Sequence, residues 1–175
     1  MAKARGAIIL LVALLAVIPA PAASAAERQT IGYLEMVRIY PGEITLRAKI
    51  DSGAATSSID VGKIEEFDHG GEPWVRFRLA YGGGEGLLVE RPLVRIANVQ
   101  RSGTPVQSRY VIKLGICLGG YYKEGQVNLS DRTGMSYRIL IGRRFLEDRF
   151  LIDTSAKHLT KPECPEAPKA EAPKR

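Results

Sequence analysis

Apolar residues in this chain recur with a period of two, and that period constrains the fold more than any other feature. In "GEITLRAKID", Ile44, Leu46, Ala48 and Ile50 alternate with Glu43, Thr45, Arg47 and Lys49. In "PWVRFRLAY", Val75, Phe77 and Leu79 share one face, and Trp74, Arg76 and Arg78 share the other. Successive side chains of a strand point to opposite faces, so such segments read as half-buried β-strands. "LLVERPLVRIANV", "SRYVIKLGICL" and "EGQVNLS" read as further strands. Turn signals separate them: Pro41-Gly42, Gly70-Gly71, Gly82 to Gly84, Ser102-Gly103, Gly119-Gly120 and Thr133-Gly134. Two short pieces suit a helix, one around Val61 to Phe67 and one from Arg143 to Asp148. Many short strands at near-regular spacing predict an all-β fold, a small barrel or sandwich with one or two short helices. No internal repeat is visible.

The first residues obey a different rule. Lys3 and Arg5 precede an apolar run from Ala7 to Ile18, and Pro19 and Pro21 break it. Ala23-Ser24-Ala25 follows as a small-residue cleavage signature. About a dozen apolar residues suit a secretory signal and are short for a membrane span. Residues 1–25 are therefore expected to be a signal peptide, with an uncleaved N-terminal anchor as the other reading. Export from a bacterial-looking chain implies the periplasm, with no stable membrane span after cleavage. About 150 residues then remain, one ordinary domain.

Without Lys3 and Arg5, 23 basic residues face 19 acidic ones, a net charge of +4. The excess is spread along the chain, and no basic stripe with interleaved aromatics suggests nucleic acid. His69 and His158 stand far apart and H-E-x-x-H is absent, so no metal site is expected. Cys117 and Cys164 allow two readings. They could pair in an oxidising compartment. Otherwise Cys117 is a small buried apolar residue, because Cys164 lies in "KPECPEAPKAEAPKR", a tail over 161–175 with too little apolar content to fold. The folded domain is expected over 26–160.

One acid has an unusual setting. In "AKIDSGAATSSID", an apolar strand runs into Asp51, and Ser52, Gly53, Ala54 and Ala55 surround it with nothing bulky. Glycine permits close backbone approach, and a serine hydroxyl can lock a tight turn. Asp-Ser-Gly is also an ordinary turn tripeptide. The second half adds weight. In "YRILIGRRFLEDRFLID", the apolar run Ile139 to Ile141 meets Gly142, and a short helix follows with Phe145 and Leu146.

An apolar D-[ST]-G-A strand, followed roughly ninety residues later by apolar I-G-R-x-x-L, resembles the retropepsin fold of aspartic proteases. From about Ile31 to Thr160 the chain is similar to the retropepsin-like family often labelled an ATP-dependent zinc protease. That label finds no support in the residues. There is no G-x-x-x-x-G-K-[ST] loop for ATP and no zinc ligand set, so no cofactor is expected. Relatives usually carry D-T-G-A, and D-S-G-A keeps the hydroxyl. Many also place a basic residue before the threonine, where this chain has Ala55-Thr56.

The resemblance implies a small closed retropepsin-like barrel and a mechanism. Asp51 would be half of a catalytic dyad in the turn Ser52-Gly53-Ala54, supported by Ile141, Gly142 and Arg143. Two carboxylates about 3 Å apart cannot both ionise, so they share a proton. One D-S-G per chain cannot make that pair, but a two-fold homodimer can. Ser52 would then reach the partner chain. Asp60, Asp131 and Asp153 have no apolar strand leading into a D-[ST]-G turn and are expected to be structural or surface acids. The hairpin around Arg101, Ser102, Gly103 and Thr104 would be the flap over a peptide. It also reads as an ordinary surface hairpin, and "YGGGEG" is a rival mobile loop.

The function so implied is a periplasmic aspartic endopeptidase acting on peptides or proteins. The alternatives are a non-catalytic peptide-binding or envelope-assembly domain, and the trimming of glutamate tails. Some family members accompany glutamate-adding ligases, in a cytosolic setting that the signal peptide argues against.

Overall fold

The computed structural model describes residues 27–79, 86–100, 103 and 105–169. The expected signal peptide at 1–25 lies outside them. Among the described residues no helix is long and apolar enough to cross a membrane.

Six strands close into a barrel: β1 (Gln29–Tyr40), β2 (Ile44–Asp51), β3 (Ser57–Asp60), β8 (Gln107–Leu118), β9 (Tyr121–Ser130) and β10 (Ile139–Gly142). Around the barrel the order is β1-β2-β10-β3-β9-β8, and pairing of β8 with β1 completes the circle. Closure satisfies the edge groups that an open sheet would expose. β11 (Phe150–Lys157) adds to the outside of β1 in parallel, and β7 (Arg95–Val99) adds to β8. A separate three-stranded sheet joins β4 (Ile64–His69), β5 (Glu72–Leu79) and β6 (Leu87–Pro92). The helix, α1 (Arg143–Leu146), follows β10 directly.

The period-two residues build the core. Ala48 and Ile50 of β2 meet Ile31, Val37, Ile39, Ile59, Ile139 and Ile141, all buried. Val75, Phe77 and Leu79 of β5 are buried as their shared face predicts, while Trp74 and Arg76 are half-buried and Arg78 exposed.

Three expectations change. The segment Val61 to Phe67 is no helix. β4 pairs with β5, with Ile64 opposite Phe77 and Phe67 opposite Trp74. Gly70 and Gly71, both at positive φ, close that hairpin, and cross-strand apolar pairs outweigh a weak local helical preference. "LLVERPLVRIANV" is two strands rather than one. After Pro92 the chain leaves one sheet for the other: Leu93 N still donates to Pro73 O of β5, and Val94 N donates to Val111 O of β8.

The tail expected to lack structure from 161 is tied down as far as it is described, to 169. Cys164 forms a disulfide with Cys117 of β8, Cα–Cα 5.9 Å, and Glu163 N donates to Gly119 O. Just before it, the fully buried Glu35 carboxylate accepts from Gly32 N (2.6 Å), Leu159 N (3.0 Å), Thr160 N (3.1 Å) and Thr160 Oγ1 (3.1 Å). Composition spoke against order here. A covalent link and a satisfied buried carboxylate hold the segment without an apolar core of its own.

Candidate active site

β2 ends at Asp51. The next residues turn at once, and Asp51 Oδ1 accepts from Gly53 N and Ala54 N, both at 3.2 Å. The carboxylate is thereby held by its own turn, half-buried, with Ser52 and Gly53 exposed beside it.

β10 lies parallel to β2, placing Ile141 beside Ile50 and Gly142 beside Asp51. Gly142 is needed for space. A Cβ there would lie 2.7 Å from the Thr56 carbonyl carbon and 2.9 Å from both Ala54 O and Ser57 N. Gly142 N donates to Ser57 Oγ (3.1 Å), and Arg143 N donates to Ala54 O (2.9 Å). Arg144 N reaches Ala55 O at 3.3 Å, and Arg143 Nη1 reaches Gly53 O at 3.3 Å. The start of α1 thus grips the Asp51 turn through its carbonyls, while Phe145 and Leu146 are buried behind it. The proposed turn and its supporting segment, Ile141, Gly142 and Arg143, come together as one unit.

Asp51 opens onto a cleft of about 470 Å³. It is the only carboxylate among the described residues that line it. β7 contributes Arg95, Ala97 and Val99, and Arg109 and Arg144 bring two further cations. The hairpin arms expected of a flap are present, paired from Arg95 opposite Val111 to Val99 opposite Gln107. Gly103 occupies a turn at positive φ; Arg101, Ser102 and Thr104 lie outside the described residues. The rival Gly-rich loop joins β5 to β6, and residues 80–85 also lie outside them.

The other acids are elsewhere. Asp131 is exposed, and Thr133, bonding through its hydroxyl and its backbone N–H, holds that carboxyl below the usual range. Ser155 does the same for Asp153. Asp60 is buried, accepts from Arg132 N (2.6 Å) and pairs with Arg138. Among the described residues no group of three or more His, Cys, Asp or Glu side chains could hold a metal.

Sequence reasoning missed Ser57, the bond that fixes Gly142, and the polar floor of the cleft, Ser58 and Asn128. Ser57 and Ser58 were visible as consecutive small polar residues, yet nothing local says that β3 enters the barrel wall between β10 and β9.

A family model described as RimB-like, the retropepsin-like aspartic endopeptidase RimB, matches residues 30–163. Among curated proteins, the chain is similar to a probable alpha-L-glutamate ligase of Shewanella halifaxensis, 36% identical over 117 residues, covering 65% of this chain and 26% of that protein. A protein of the same name from Desulfotalea psychrophila is 32% identical over 111 residues, covering 62% and 24%. The chain therefore spans about a quarter of the length of these relatives. Among solved structures, a Legionella pneumophila protein of unknown function superposes with a TM-score of 0.65 at 28% identity. That match covers 77% of this chain and all of the other.

Proposed function

The chain belongs to the RimB-like family of retropepsin-like aspartic endopeptidases, and on that premise we propose that it hydrolyses peptide bonds through a water activated at Asp51. The observation that carries this reading is the Asp51 turn, locked against Gly142 at the edge of a cleft that holds a single carboxylate among its described residues. In such a reaction one carboxylate takes a proton from water as the oxygen attacks, and a second donates to the scissile carbonyl oxygen. The second carboxylate would be Asp51 of another copy, brought to a two-fold axis in a homodimer. The exposed Ser52 would lie at that contact. The β7–β8 hairpin would close over the peptide.

We place the reaction in the periplasm. The features of residues 1–25 support export, and the Cys117–Cys164 disulfide suits an oxidising compartment.

A second reading of the substrate, removal of glutamate residues from protein tails, draws on two observations. The cleft carries Arg95, Arg109 and Arg144, and relatives of this chain are named glutamate ligases.

The test is incubation of the purified full chain with a proteome-derived peptide mixture and with oligoglutamate peptides, products being identified by mass spectrometry. Cleavage by wild type, loss in Asp51→Asn, and inhibition by a statine-type compound are expected. Cleavage that persists in Asp51→Asn or stops only with a chelator would overturn the assignment. Binding of peptides without cleavage would leave a non-catalytic domain of the same fold.

A further inference from the structure

Three consecutive N–H groups at the junction of β10 and α1 are received by one short segment, residues 54–57. Gly142 N donates to Ser57 Oγ at 3.1 Å, Arg143 N to Ala54 O at 2.9 Å and Arg144 N to Ala55 O at 3.3 Å. The first N–H groups of a helix find no partner within it. Gly142, the N-cap of α1, has no side chain to supply one. Two of the three acceptors are main-chain carbonyls, which any residue would provide. The third is a hydroxyl, so it depends on what stands at position 57. Ser57 is 3% exposed, and its bond to Gly142 is buried. From there the path to the carboxylate is short. Ala54, which accepts from Arg143 N, donates its own N–H to Asp51, to Oδ1 at 3.2 Å and to O at 3.3 Å.

We propose that Ser57 is a positioning residue for Asp51, its hydroxyl fixing the β10–α1 junction and, through Ala54, the direction of the Asp51 carboxylate. Glycine has the widest backbone freedom of any residue. A stiffer residue cannot replace Gly142, because a Cβ would meet backbone atoms of the Asp51 turn and of Ser57. A bond from outside the glycine restricts it instead, and a hydroxyl makes that bond without bringing a charge into the barrel wall. Alanine at 57 would take the acceptor from a buried N–H, and the junction would shift from Ala54 and Ala55 to recover one. Ser57 is not among the described residues that line the Asp51 cleft, whereas Ala54, Ala55, Thr56 and Ser58 are. Loss of its hydroxyl should therefore disturb the reacting carboxylate more than the binding of substrate. A displacement of about 1 Å at a reacting group can cost about a hundredfold in rate.

The kinetic readout rests on the endopeptidase reading; the spectroscopic one does not. On a peptide that wild type cleaves, Ser57→Ala should lower kcat by about tenfold to a hundredfold and leave KM within about twofold. Ser57→Thr keeps the hydroxyl and should recover most of kcat. Ser57→Cys, whose thiol is a weak acceptor, is the second variant should Ser57→Ala not fold, and should show the same loss in smaller measure. Cys164→Ser, which loosens the C-terminal strap, should melt lower than wild type and keep its kcat, so that lost stability alone does not explain lost rate. Separately, the backbone amide resonances of Gly142 and Ala54 are followed in full-length protein labelled with ¹⁵N. Ser57→Ala should shift both and speed hydrogen exchange at Gly142, while Cys164→Ser should leave both near their wild-type positions. Unchanged kcat in a folded Ser57→Ala, a loss carried by KM, an equal loss in a folded Ser57→Thr or in Cys164→Ser, or an Ala54 resonance that does not move would overturn the proposal. Wild type that cleaves nothing, with Gly142 and Ala54 both responding to Ser57→Ala, would keep this positioning of Asp51 and reject the endopeptidase.

Discussion

Asp51 and the other acids separate at the residue scale by what surrounds each carboxylate. Among the described residues, Asp51 is held by two N–H groups of its own turn, and it lines the cleft. Asparagine is nearly isosteric and can keep the turn, so Asp51→Asn should abolish cleavage with little change in melting temperature. Specific activity and thermal denaturation on one sample check this. Asp131 and Asp153 close exposed local turns, and asparagine at either should leave cleavage nearly intact. Asp60 differs. Buried and bonded to Arg132 N and Arg138, it should lose roughly 1–3 kcal/mol of stability as asparagine, with measurable activity remaining in the folded fraction. If Asp131→Asn or Asp60→Asn were inactive yet fully folded, a dyad within one chain would become the better mechanism. Asp51 was legible because its signal is local, an apolar strand ending in D-S-G-A. The partners of Asp60 and Glu35 were not, because they come from chain segments far away in sequence.

Between elements, the contact that matters most is β10 against β2, with α1 behind. No side chain fits at Gly142, since any Cβ would meet backbone atoms of Ala54, Thr56 and Ser57. Gly142→Ala should cost roughly 1–3 kcal/mol as an overpacking change and displace the Asp51 turn, so activity should fall further than the loss of folded protein explains. Denaturant unfolding and specific activity, measured together, separate the two effects. The C-terminal strap is the second such contact. Cys164→Ser removes a link spanning 47 residues and should lower stability by about 2–4 kcal/mol. Dithiothreitol should lower the melting temperature of wild type and leave that of Cys164→Ser unchanged. The hairpin β4–β5 is where local reasoning failed: a short stretch with no clear 3.6 repeat was assigned to a helix, and pairing with β5 made it a strand.

At the scale of the whole molecule, the proposed mechanism, with one Asp51 per chain, would make activity a property of assembly. Specific activity should rise with protein concentration as dimers form, and light scattering should show molar mass rising with it. Inactive Asp51→Asn chains mixed with wild type should lower activity more than dilution does, since mixed dimers lack one carboxylate. Constant specific activity from a species that remains monomeric would sink the shared site. The sequence by itself determined the all-β class, most of the strands, the Asp51 turn and the Gly142 segment that supports it. Each of these is written in a short window, as a period-two face or as a motif whose small residues make room. Only the tertiary structure decided how β8 closes onto β1, how Ser57 fixes Gly142, and how Glu35 and Cys117 hold the tail. The same is true of Asn128, whose amide oxygen is buried without a hydrogen-bond partner among the described residues. Those features join residues distant in the chain, and a buried polar group declares itself only when every neighbour that could satisfy it has been placed.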